Sequence, residues 1–80
     1  MNTDHLIDMA NQIGQFFESL PDREEALAGI ADHIRRFWEP RMRRALLAEL
    51  DRGAAQTALS EIVFAALTKY RESLTPAIPA

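Results

Sequence analysis

His33-Ile34-Arg35-Arg36-Phe37-Trp38-Glu39-Pro40-Arg41-Met42-Arg43-Arg44 holds five arginines, the chain's single tryptophan and a proline. Proline fixes its own φ and disfavours the α region at the residue before it. A helix ending near Trp38 must therefore turn before another begins at or after Pro40, where proline suits the first helical position. The arginines gather at this helix–helix corner. Their planar, permanently charged forks suit carboxylates and phosphates, and nothing else in the segment can do chemistry. It reads as a docking surface. Two structural roles compete with that reading: solvated arginines on an amphipathic helix, and internal pairing with Asp32, Glu39 or Glu49.

Charge sharpens the contrast. Residues 1–32 carry seven acids against one base, Arg23, whereas residues 33–44 carry five arginines against Glu39. The whole chain is acidic, with a formal net charge of −3. Nucleic-acid binders usually show a basic excess and a basic stripe, so this balance argues against nucleic acid as the partner. Neither a long apolar run nor a basic signal-peptide start is present, so no membrane association and a cytoplasmic location are expected. There is no cysteine, which excludes disulfides and cysteine-held zinc or iron–sulfur clusters within this chain.

Helical periodicity runs outward from the corner in both directions. Upstream, Leu27, Ile30, Ile34 and Phe37 step by three and four, flanked by Ala31 and Trp38. Asp22 and Glu25 make a capping-box-like start for this helix. Before it, Leu6, Met9, Ile13, Phe16 and Leu20 form a stripe with Thr3 as the expected N-cap and Pro21 as the stop. A parallel row of Ile7, Ala10, Gly14 and Phe17 contains two small residues where another helix can approach. Downstream, Met42, Leu46, Leu47 and Leu50 form one face, and Gly53 suits a C-cap. Ser60 is the expected N-cap of a fourth helix, with Leu59 and Phe64 placed as a hydrophobic staple. Val63, Ala66, Leu67, Tyr70 and Leu74 share one side. Pro76 and Pro79 break any helix in the last residues.

Several apolar residues exceed what a small core needs. Phe16–Phe17 and Phe37–Trp38 are adjacent pairs that point about 100° apart on a helix. Residues 62–67 are apolar all round. Either the core stripe is wide or a patch meets a partner. Trp beside Arg favours a partner at Trp38. Catalysis finds no support: His5 and His33 lack metal-ligand spacing, no phosphate-binding glycine loop occurs, and Ser19, Ser60 and Ser73 have no triad context.

Met9-Ala10-Asn11-Gln12-Ile13 with Phe16-Phe17, followed by Ile30-Ala31-Asp32-His33-Ile34-Arg35-Arg36-Phe37-Trp38-Glu39-Pro40-Arg41-Met42-Arg43, resembles the delta subunit of soluble NAD-dependent, molybdenum-containing formate dehydrogenases. Leu59-Ser60-Glu61-Ile62-Val63 resembles the start of that family's last helix, with Glu61 standing where the family usually has proline. The resemblance spans about residues 4–70, and its most specific part is His-x-Arg-x-Phe-Trp-x-Pro-Arg-Met. It implies partner subunits carrying bis-molybdopterin guanine dinucleotide, iron–sulfur clusters, FMN and the NAD site. It also implies that this chain is the small member without a cofactor of its own.

The expectation is thus an all-α protein: a small bundle of three to four helices over residues 1–74, with the proline-marked corner between helices 2 and 3. Residues 75–80 form a flexible tail. The chain has no catalytic, cofactor-binding or metal site. It serves as an accessory subunit that supports assembly or stability of the large molybdenum and iron–sulfur subunit. Arg35, Arg36, Arg41, Arg43 and Arg44 would meet that subunit's carboxylates, with Trp38 as an anchor. Asn11, Gln12 and Phe17 would contribute from the first helix. The alternative is a maturation factor whose arginines transiently bind the anionic bis-molybdopterin guanine dinucleotide during insertion.

Overall fold

The computed structural model describes residues 2–77. Four helices and a final helical turn pack around one core: α1 (Thr3–Glu18), α2 (Arg23–Phe37), α3 (Pro40–Leu50), α4 (Glu61–Lys69) and α5 (Arg71–Leu74). No strand occurs among the described residues. The all-α bundle expected from periodicity is what forms.

The cap of α1 is Asn2 rather than Thr3. Its backbone is extended, and its side-chain oxygen accepts from the amides of Asp4 and His5 at 2.9 and 3.4 Å. An Asn here satisfies amides that the first helical turn leaves without partners. Asp22 performs the same task for α2, accepting from Glu24 and Glu25.

The face of α1 that enters the core is rotated from the expected stripe. Leu6, Ile7, Ala10 and Gly14 are buried, whereas Phe16 is 71% exposed. Close helix approach decides this. A Cβ on Gly14 would stand 2.6 Å from Val63 Cγ2 and 3.2 Å from Ile62 Cγ2. The small row of α1 therefore faces the start of α4, because only a glycine lets the two backbones come this near. On the same helix, Phe17 lies against Gly29 of α2, where an added Cβ would meet its ring at 2.4 Å. Two glycines thus set the spacing of α1 from both of its neighbours.

Buried Ala26, Leu27, Ile30, Ala31 and Ile34 line α2. The helix stops where Pro40 requires it to. Trp38 has extended φ and ψ of −100° and 129°, and Glu39 follows at −70° and 162°. Pro40 then opens α3 at a position where a missing amide hydrogen costs nothing. Leu46, Leu47 and Leu50 carry α3 into the core. Gly53 takes a φ of +86°, and its amide donates to Leu50 at 3.0 Å, closing the helix end.

Helix α4 explains the run that is apolar all round. It packs against α1, α2 and α3 together, with Ile62, Val63, Ala66 and Leu67 buried and Phe64 and Ala65 half-buried. A helix enclosed on several sides needs no polar face. Leu74 in α5 is fully buried, and Pro76 beyond it is buried as well. Of the expected tail, residues 78–80 lie outside the described residues.

Substituting Gly14 by alanine tests the close approach. Alanine gains about 1 kcal/mol of helix propensity. Overpacking against Val63 should more than cancel it, at about 1–3 kcal/mol. Urea denaturation of G14A should show a net loss of stability; an unchanged or raised midpoint would mean that α4 sits farther from α1 than described.

Candidate partner-binding site

The residues expected to meet a partner separate into four groups. Asn11 and Trp38 are committed inside the chain. Arg35, Arg36 and Arg43 have internal polar partners. Gln12, Arg41 and Arg44 are exposed without a side-chain partner among the described residues, and Phe17 occupies its place over Gly29.

Asn11 makes two backbone bonds to the segment that leads into α4. Its Nδ2 donates to the Ala58 carbonyl at 3.0 Å, and its Oδ1 accepts the Ser60 amide at 2.8 Å. One amide side chain thus closes a pseudo-ladder with two loop residues. The neighbouring turn is held locally, since the Thr57 hydroxyl accepts the Leu59 amide. Asn11, expected to face a partner, thus has internal bonds in the free chain. The physical reason is that Gly14 brings the start of α4 against α1, one helical turn from Asn11.

Trp38, expected as an anchor, is only 5% exposed and belongs to the core. Its amide still donates to Ile34 at 3.0 Å, so it keeps the helical register that places it one turn beyond buried Ile34 and two beyond buried Ala31. The neighbour takes the outer position. Phe37, expected on the core stripe, is 70% exposed, with the His33 ring 4.9 Å from its own. Adjacent helical residues point in different directions, and the larger indole occupies the interior.

Two arginines at the end of α2 share one acid. Arg36 Nε lies 3.0 Å from Asp32 Oδ2, and Arg35 lies 3.3 Å from Asp32 Oδ1. Both also sit at the C-terminal end of a helix, where a positive charge is favoured. Such exposed pairs contribute at most about 1 kcal/mol. Arg43 is half-buried and donates to the Leu74 carbonyl at 3.4 Å, while its Nε is buried without a partner. It ties α3 to the C-terminal turn. Glu49 does not serve the corner: it is 4% exposed and pairs with Arg52 at 3.1 Å. The Glu39 carboxylate has no hydrogen-bonded or ion-paired partner among the described residues, so Asp32 alone of the three expected acids pairs its side chain with a corner arginine.

Arg41 and Arg44 differ from the rest. Both are exposed, and together with Glu39 and Pro40 they line an open depression on the outside of the corner. Arg41 stands in the first turn of α3, which contains no acidic residue. That end of a helix disfavours positive charge by about 0.3–1 kcal/mol. The exposed corner therefore presents Phe37, Arg41 and Arg44, with Arg35 and Arg36 beside them on α2. Phe16, the other large exposed apolar side chain among the described residues, stands near the far end of α1 with its ring edge-on to Phe17 at 5.1 Å.

Among the described residues, no group of three His, Asp or Glu side chains could hold a metal ion, and no helix is long and apolar enough to cross a membrane. A family model for the NADH-dependent formate dehydrogenase delta subunit FdsD matches residues 5–67, a span that includes the Asn11 clamp, the corner and the start of α4. The chain belongs to this delta-subunit family. Curated proteins and solved structures provide no match to it. As a delta subunit it is a component of a dehydrogenase complex, and the exposed corner lies within the matched span.

The internal roles make two expectations for the isolated chain. Asn11→Ala leaves the Ser60 amide and the Ala58 carbonyl without their partner and should cost about 1–3 kcal/mol in urea denaturation. Trp38→Ala opens a core cavity and should cost about 3–5 kcal/mol in the same measurement, with no partner present. A Trp38→Ala chain as stable as the parent would return that side chain to the surface.

Proposed function

We propose that this delta subunit is a non-catalytic accessory chain that binds the large molybdenum-bearing subunit of formate dehydrogenase and supports its assembly or stability. The observation that carries the reading is the family match over residues 5–67. Support comes from the distribution of exposed groups. The chain offers an aromatic ring and several arginines at one corner, a combination suited to a protein interface. The rest of its functional chemistry is thin. Among the described residues no group of three ligands surrounds either histidine, and the buried Glu49 already has Arg52.

In this role the chain contributes binding energy alone. The bis-molybdopterin guanine dinucleotide, iron–sulfur clusters, FMN and NAD site belong to the partner subunits. A partner that binds only the folded chain stabilises it by mass action, by about 2.7 kcal/mol at a hundredfold excess over Kd. The same linkage stabilises the large subunit when this chain is in excess.

Affinity purification of the enzyme through a tag on this chain should recover the molybdenum-bearing subunit with this chain at a fixed stoichiometry. Omitting the chain should lower the yield of assembled enzyme while leaving formate turnover per bound molybdenum unchanged. A drop in turnover per molybdenum, at normal assembly, would assign the chain a part in the reaction and contradict the accessory reading.

A further inference from the structure

The geometry points to a two-part anchor, Phe37 with the Arg41–Arg44 pair, that takes a segment of the large subunit presenting carboxylates beside an apolar side chain. This rests on the accessory-subunit reading and names the surface and the partner chemistry it uses. The arginines of the corner are not equivalent, and their local surroundings separate them. Arg35 and Arg36 share Asp32, and Arg43 reaches the Leu74 carbonyl. Arg41 and Arg44 alone among the five have no hydrogen-bond or ion-pair partner among the described residues.

Position adds to this. Arg41 lies in the first turn of α3, where an acid would serve the isolated fold better. A guanidinium that is unfavourably placed in the free chain and has no hydrogen bond or ion pair among the described residues is suited to an external carboxylate. Three and four residues apart on a helix share a face, so Arg41 and Arg44 aim their forks into one region. Phe37 is placed just before the turn and is 70% exposed. Its burial by an apolar partner would contribute what the charges alone do not, since exposed ion pairs are weak.

A protein carboxylate fits this surface better than the diphosphate of a nucleotide cofactor. The depression that holds Arg41 and Arg44 is open, and it also contains the Glu39 carboxylate. A negative charge there opposes a polyanion but can accept a lysine or arginine from a protein partner. An exposed phenylalanine likewise finds no counterpart in a diphosphate.

The test uses the full chain and the purified large subunit, with affinity read by titration. Arg41→Gln with Arg44→Gln, and separately Phe37→Ser, should each weaken binding by about tenfold or more. Arg35→Gln with Arg36→Gln should change it by less than about threefold. Arg41→Glu gives the sharpest separation: the free chain should melt at the same or a higher temperature, while its affinity for the large subunit falls. Since these side chains are exposed, each variant should keep its helical circular dichroism; if the double glutamine variant does not, Arg41→Lys replaces it and should still weaken binding by loss of the fork. Equal losses from both arginine pairs would overturn the anchor in favour of a diffuse charged surface, leaving the accessory reading intact. Saturable binding of inorganic pyrophosphate that is lost in the Arg41/Arg44 variant would overturn it in favour of a cofactor-handling site. If the parent chain does not bind the large subunit at all, the accessory reading fails and the anchor falls with it.

Discussion

Pro40 lacks an amide hydrogen and denies Glu39 the helical region, and the geometry of the corner follows from that steric fact. Trp38 and Glu39 become extended, the chain changes direction, and α3 begins afresh. The indole turns inward to join the core. Phe37, still helical, is left outside. At this corner Trp38 belongs to the core and Phe37 stands on the surface. The corner also gives the arginines different electrical surroundings. Arg35 and Arg36 lie at the end of one helix, where positive charge is favoured, and Arg41 lies at the start of the next, where it is not.

The opposite side of the molecule is organised by close approach. Gly14 lets α4 come against α1, and Asn11 then reaches the backbone at Ala58 and Ser60. The long connection after Gly53 is thereby pinned at its exit. With α4 enclosed by three helices, a chain of 80 residues buries enough apolar surface to form one core without disulfides or metal. Exposed ion pairs link distant elements around it: Arg23 with Glu61, Lys69 with Glu24, and Arg71 with Asp51. Each is worth little alone, so packing carries the fold.

Much of this was legible in the residues. Asp22, Pro40, Gly53 and the three–four spacing of α2 and α3 each act locally, and the elements formed where they indicated. The pairing of Asp32 with Arg35 and Arg36 follows from helical spacing alone. What was not legible depends on partners distant in sequence. The choice between two apolar rows on α1 was made by Gly14 meeting Val63 and by Phe17 meeting Gly29. Two small residues in one row were the available signal, and the larger stripe outweighed it. The internal bonds of Asn11 were not legible because its partners lie 47 and 49 residues away. Phe37 and Trp38 flank the buried row of α2 on either side, so spacing alone did not say which of the two enters the core.

Family membership assigns the chain to a dehydrogenase complex, and the surface proposed to meet its partner is the corner that carries exposed Phe37, Arg41 and Arg44. Hydrogen–deuterium exchange of this chain, free and bound to the large subunit, tests that claim most directly. The account expects new protection on binding to centre on residues 35–44, with the segment 53–60 changing little because Asn11 already holds its exit. Protection confined to the 53–60 segment or to the exposed side of α4, with the corner exchanging as in the free chain, would contradict it.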